Sequence, residues 1–300
     1  MQGFQHKVWM KRLMLERSVP IPRLLFTSED SPSLPFDGPE LPRILEGFCV
    51  KPAHLAESHH TFAITYEGMD LLSGQRPTLE EVQGNISEAW GRSLGDYDRT
   101  EGIGCAASGV HAAYTAGRSC TNWALYNCPP GLLIEELVKP SPFYEHLSTA
   151  LLGDVGPISR EPPDEVKCHV VWGKVFVAEW VTPKLMLGYI FRHGFVKNTI
   201  LISPEYQRTC YGGERRDVGT NPAEACLLEQ WWKNIVEVAE RAVPAGVDYL
   251  RVDIFPNGMN PVINELSIGG YATLLEDWML EEMTRRVKEG YRWRAASGEE

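Results

Sequence analysis

At 300 residues, 43% hydrophobic and 23% charged, the chain has room for one large or two smaller domains, and disorder is excluded as its default state. A net charge of −11 with no compensating Lys/Arg stripe argues against non-specific nucleic-acid binding and against adsorption to an anionic membrane, so an anionic ligand needs its own local cluster of positive side chains. The seven cysteines (49, 105, 120, 128, 168, 210 and 226) show no CxxC spacing, and no apolar run approaches the ~20 residues that span a bilayer; the expectation is free thiols in a reducing, cytoplasmic setting.

In chain order, MQGFQHKVWMKRLMLERSVPIP mixes charged and apolar residues and predicts an amphipathic helix stopped near Pro20. IPRLLF reads as a short strand, followed by a Pro/Ser/Asp-rich connector from Thr27 to Pro42. GFCVKPAH is a second strand running into a loop and TFAITY a third, with a helix inside 78–95 around Leu79, Val82, Ile86 and Trp90. Gly102–Cys120 is nearly all small residues and reads as an insertion or mobile segment. GLLIEELV is a buried strand, and EVKCHVVWGKVFVAEWVTP two strands turning at Gly173. A helix then begins near a cap at Thr220 or Asn221, with proline in its first turn and Glu224 placed for a capping box. Its apolar positions 227, 228, 231, 235, 238, 239 and 242 mark a packed face, with Trp231 and Trp232 as its core and rim. A last helix is expected from about Ala272 to Glu289. Strands and helices without regular βαβ alternation predict an α+β class with mainly antiparallel sheets, and no repeat of solenoid period appears.

Between those helices lies YLRVDIFPNGMNPVINELSIGG, residues 249–270. Alternation sends Arg251 and Asp253 to one side of the first strand and Leu250, Val252 and Ile254 to the other; Glu265 and Ser267 share a side of the second. Whether the two polar sets meet depends on register. A two-residue Asn257-Gly258 loop turns Glu265 away. A three-residue loop, Pro256-Asn257-Gly258 with Gly258 left-handed, pairs Phe255 with Met259 and brings Asp253, Ile263 and Glu265 to one face; the fixed φ of Pro256 favours it. Two carboxylates held close repel unless a cation lies between them, and oxygen ligands of this kind suit magnesium shared with substrate phosphates. The competing reading is a sheet face with its charges in water.

KPAH, NWALYNCPPGLLIEEL, EVKCHVVWGK and RVDIFPNGMNPVINELS, in that order, resemble the successive motifs of the TupA-like ATP-grasp family, from about His6 to Ala272. The resemblance implies one ATP-grasp unit over 1–300, in which two α+β subdomains with mainly antiparallel sheets clasp ATP. An N-terminal helix and strand occupy 1–48, an N-terminal subdomain 49–138 with an insertion near 95–125, and a C-terminal subdomain with the metal site 139–300. It implies that Lys51 and His54 reach the nucleotide, that Glu135 belongs to the adenine hinge with the backbone of Leu137 and Val138 recognising the base, that Glu165 lies near the ribose, and that Lys167 is a second phosphate lysine. Asp253 and Glu265 match the Mg2+ ligands, joined by Ser267, and Arg251 falls near the transferring phosphoryl group. Chemistry independently wants these types, since a triphosphate needs cations on more than one side.

Two departures stand out. The loop after Lys51, HLAESHHTF, has no glycine, which makes close backbone approach to phosphate harder, and His59 and His60 fall outside the family pattern. Ser267 stands where the superfamily often has asparagine. The implied activity is an ATP- and Mg2+-dependent carboxylate–amine ligase acting through an acyl phosphate, on small-molecule acid and amine substrates such as an amino acid and a sugar acid. A kinase acting on a small-molecule hydroxyl and a non-catalytic nucleotide-binding module are the alternatives. Substrate contacts are expected from 95–125 and 192–220, with Arg192, Arg215 and Arg216 as the local positive charges for an anionic acceptor.

Overall fold

The computed structural model describes residues 6–55, 60–92, 128–138, 165–181, 186–191, 222–257, 259–267 and 277–297. They form α1 (Lys7–Glu16), β1 (Leu24–Ser28), β2 (Phe48–Pro52), β3 (Phe62–Ile64), α2 (Leu79–Trp90), β4 (Leu132–Glu136), β5 (Glu165–Val171), β6 (Lys174–Val181), β7 (Met186–Phe191), α3 (Pro222–Ala242), β8 (Tyr249–Phe255), β9 (Val262–Ser267) and α4 (Asp277–Ser297). Every strand pair among the described residues is antiparallel, and the α+β class expected from the sequence is what the chain adopts. The chain divides into two compact units, Met1–Leu13 with Pro22–Val138, and Met14–Ile21 with Lys139–Glu300.

In the first unit a four-stranded sheet runs β1-β4-β2-β3. Phe48, Val50, Leu132 and Ile134 on one face meet Leu79, Val82 and Ile86 of α2, whose first turn is closed by a complete capping box between Thr78 and Glu81. The proline-rich connector is tied down: Leu34, Phe36 and Leu41 join that core, and the Leu34 N–H donates to Gln83 Oε1 at 2.8 Å. On the opposite face Leu133 packs with Val8 of α1.

In the second unit a five-stranded sheet runs β7-β6-β5-β8-β9. Its edge strand β7 was not legible in the sequence. Val166, Cys168, Val170, Leu250, Val252 and Ile254 are fully or almost fully buried, and α3 packs on this sheet with Trp231, Ile235, Ala239 and Ala242 at zero exposure. Trp232 is as buried as Trp231, so neither forms a rim. The proposed caps Thr220 and Asn221 lie outside the described residues. At its far end α3 is closed by the Arg17 guanidinium, which donates to the carbonyls of Arg241 and Val243.

Strands β5 and β6 turn at Trp172-Gly173, both left-handed (φ 51° and 74°), as a two-residue hairpin turn requires. The Trp172 indole N–H donates to the Val287 carbonyl of α4, and its ring meets Tyr291 edge-on at 5.1 Å. Gly290 lies directly beneath: a Cβ there would overlap the indole nitrogen. Helix α4 runs to Ser297, eight residues past the expected end at Glu289, and passes through Gly290. Its expected start at Ala272 lies outside the described residues.

Candidate functional site

Each sheet carries a cluster of charged side chains. In the first unit, Lys51 and Glu135 share a face with Cys49 and Leu133, because Cys49 pairs with Glu135 and Lys51 with Leu133. Lys51 Nζ reaches diagonally to Glu135 Oε1 at 2.5 Å, and Lys11 Nζ, from α1, lies 2.9 Å from Glu135 Oε2. All three side chains are nine-tenths or more buried. Burial alone pushes the Glu135 carboxyl up, but the two ammonium groups outweigh it and hold the acid below its usual range. Burial also pushes the neighbouring Cys49 thiol up to about 11, so it stays a neutral packing group.

His54 points into this unit. Its Nδ1 accepts from the Gly131 N–H at 3.3 Å, and Nε2 faces the carbonyls of Ala89 and Arg92 at 3.1 and 3.2 Å. Burial lowers its pKa, in keeping with a neutral ring that closes the C-terminal end of α2. Both ring nitrogens serve the backbone, where a nucleotide contact was expected of His54. The Leu137 N–H donates to the Gly47 carbonyl at 3.2 Å, and Val138 follows at the end of the described segment. Residues 56–59 of the glycine-free loop lie outside the described residues.

In the second unit the register builds a cross-strand rung. Glu179 of β6 faces Lys167 of β5, Lys167 faces Asp253 of β8, and Asp253 faces Glu265 of β9. The next rung holds His169, Arg251 and Ser267. Opposite residues in such rungs have Cβ atoms about 5 Å apart, which brings side chains along them within reach of one another. Arg251 grips both Asp253 oxygens at 2.8 Å. Lys167 Nζ lies 3.4 Å from Glu165 and 3.8 Å from Asp253. A water-facing sheet is not what is found: the Asp253 residue is 3% exposed.

The expected hairpin loop is corrected by this register. Phe255 pairs with Val262, not Met259, so the connection is the six residues 256–261 rather than three. A bulge at Asn264 then shifts the ladder, which sets Asp253 directly opposite Glu265. Ile263 therefore pairs with Ile254 on the apolar face and is fully buried, instead of joining the carboxylates. Gly258, expected to be left-handed, lies outside the described residues. Asn264 also works as a side chain, donating to Glu165.

Electrostatically the second cluster is crowded with acid. Burial first, and the Asp253 charge second, raise the Glu165 pKa against the pull of Lys167. Burial draws the Lys167 ammonium down, but Asp253 and Glu165 outweigh it and raise it, and the same balance with Asp253 raises Arg251. Among the described residues no three His, Cys, Asp or Glu side chains converge closely enough to hold a metal by themselves. Magnesium does not need that, since it keeps waters and takes one or two carboxylates plus phosphate oxygens. Opposed Asp253 and Glu265, beside a third acid that resists ionising, fit such an ion.

Several members went unread in the sequence. Lys7, Lys11 and Met14 recur at helical spacing on the buried stripe of α1, and lysines on such a stripe were the available signal. His169 continues the period-two run Glu165, Lys167. Glu179 is a lone acid in an apolar strand. The two are fully buried together, His169 Nε2 lying 3.2 Å from Glu179 Oε1 and Nδ1 2.9 Å from the Tyr249 hydroxyl. Arg192, Arg215 and Arg216 lie outside the described residues.

No family model and no curated protein matches the chain. Among solved structures it is similar to D-alanine–D-alanine ligase from Bacillus anthracis complexed with ATP (11% identity, 88% of this chain and 55% of that one, TM-score 0.35). It is also similar to L-amino acid ligase from Bacillus licheniformis (11% identity, 90% and 44%, TM-score 0.40) and to the ATP-grasp ligase PsnB complexed with a minimal precursor (12% identity, 90% and 53%, TM-score 0.35). The chain thus spans about half the length of these three proteins.

Proposed function

We propose that the chain is an ATP- and Mg2+-dependent ligase of the ATP-grasp type, TupA-like in its motifs, that joins a small-molecule carboxylate to an amine. The observation that carries the reading is the rung that sets Asp253 opposite Glu265, with Lys167 and Arg251 as cations on the same partly buried face. Four charged groups held this way cost desolvation and repulsion, a cost that a polyanionic ligand with its cation offsets.

In this reading the first cluster serves the nucleotide. Lys51 supplies a compact charge for phosphate, and the Leu137–Val138 backbone recognises the base. Glu135 acts through the lysines it holds. In the second cluster Asp253 and Glu265, with the Ser267 hydroxyl beside them, would hold magnesium, whose charge would stabilise phosphoryl oxygens there. Lys167 faces phosphate, and Arg251 exchanges part of its grip on Asp253 for a phosphoryl oxygen, while Glu165 takes the ribose. An oxygen of the acid substrate attacks the γ-phosphorus and ADP leaves. The amine nitrogen then attacks the acyl carbon, expels inorganic phosphate and gives up a proton. An amino acid and a sugar acid are the proposed pair, and the disulfide-free state of the described cysteines Cys49, Cys128 and Cys168 fits a cytoplasmic setting.

The test incubates the full chain with ATP, magnesium and panels of acids and amines. Inorganic phosphate released in step with an amide product supports the ligase. A stably phosphorylated product makes it a kinase, and ATP binding without turnover across the panels makes it a binding module.

A further inference from the structure

Glu135 is the meeting point of two lysines from different elements, one on each carboxylate oxygen. Lys51 comes from the strand end that the nucleotide reading assigns to phosphate, whereas Lys11 sits in the middle of α1 at zero exposure. A lysine that pairs with a buried acid cannot simply turn to another anion. Leaving the carboxylate would strand a buried charge, and that is strongly unfavourable. With Lys11 in place the difficulty disappears, because Glu135 keeps one ammonium whichever way Lys51 turns.

We propose that Lys11 is a positioning residue of the nucleotide site: a standing counter-charge for Glu135 that releases Lys51 to phosphate. Lys11 itself touches no ligand. The buried triad is then a hand-over device in which one cation stays and one moves. The proposal rests on the nucleotide reading above, and nothing in the motifs that suggested that reading includes Lys11.

The hand-over has a signature that simple packing lacks. Lys11→Met removes a positive charge and ties Lys51 to Glu135, so ATP affinity should fall roughly tenfold, the scale of one charge-assisted contact, while adenosine affinity stays as in the parent. Adding Glu135→Gln to Lys11→Met removes the charge that needed a partner. The double variant has the parent's net charge in this cluster and should recover most of the lost ATP affinity. Titration calorimetry of the full chain with ATP and with adenosine reads all of this, with melting curves to confirm folding.

Lys51→Met, run in parallel, separates the two ideas. If it leaves ATP affinity unchanged, the nucleotide reading itself fails. If Lys51→Met weakens ATP selectively but Lys11→Met does not, or if the double variant stays as weak as Lys11→Met, the counter-charge proposal is overturned and the site stands. Should Lys11→Met fail to fold, Glu135→Gln is compared with the double variant. With no carboxylate to satisfy, further removal of Lys11 should change nothing, and a further selective loss of ATP affinity would overturn the proposal.

Discussion

Glu135 and Glu165 are both carboxylates on a sheet face with lysine in reach, yet they titrate in opposite directions. Glu135, the more buried of the two, is held low because Lys11 and Lys51 share it and together outweigh burial. Glu165 is held high by burial first and by the Asp253 charge second, since Lys167 is shared with Asp253, and Glu265 adds to the repulsion. Burial pushes both the same way, so the balance of neighbouring charge decides the sign. In the first cluster two cations meet one acid; in the second, Lys167 and Arg251 face Glu165, Asp253 and Glu265.

The comparison breaks most visibly if the second cluster is not a metal site. Asp253→Asn or Glu265→Gln should cut magnesium-dependent turnover by roughly a hundredfold or more, the several kcal/mol that a metal supplies to phosphoryl transfer, while the fold persists because shape and a hydrogen-bonding oxygen remain. Parent-like turnover in either variant would place the metal elsewhere.

In the first cluster, Glu135→Gln leaves two buried ammonium groups facing an amide and should destabilise the chain by about 3 kcal/mol, read by denaturant midpoint. The pH dependence carries the same sign. Because the folded pKa of Glu135 is depressed, its contribution is complete above the ordinary carboxylate range and is lost as pH falls through the lower folded value. Acid titration of stability should therefore be shallower in Glu135→Gln.

Glu165 should behave in mirror image and more weakly. Its folded pKa is raised, so the folded state binds a proton that the unfolded chain has released, and stability falls as pH rises from the unfolded value through the folded one. Glu165→Gln should raise the melting temperature at neutral pH by about 2 °C, and magnesium with ATP should stabilise the parent more than this variant. A lower melting temperature would show that the pair with Lys167 outweighs the crowding.

The smallest effect is expected at the hairpin connection. In a three-residue loop, one inserted residue would slip the register and separate the carboxylates. The connection is six residues, and register is set by the bulge at Asn264, so a glycine inserted after Gly258 should cost less than about 0.6 kcal/mol and leave turnover intact.

Legibility followed the range of the interaction. Strand faces, the capping box of α2 and the turn at Gly173 are local and could be read from spacing. The opposition of Asp253 and Glu265 was expected, but from the wrong loop, because a bulge depends on packing partners: here the Ile263 N–H is tied to the Pro20 carbonyl and Asn264 to Glu165, both remote in sequence. Lys11 was hidden for the same reason. A lysine in an amphipathic helix reads as a surface charge until the acid it meets, 124 positions later, is placed beside it.

Gly290 has a consequence that concerns descent more than folding. Glycine inside a helix gives up about 1 kcal/mol relative to alanine, and here the indole of Trp172 fills the space so gained. Neither position can drift alone. A larger residue at 290 needs a smaller one at 172, and a smaller residue at 172 leaves a void that only a side chain at 290 can fill. Relatives of this chain should therefore carry either the tryptophan–glycine pair or a reciprocal exchange of bulk, and a chimera that takes its hairpin from one kind and its last helix from the other should fail at this contact.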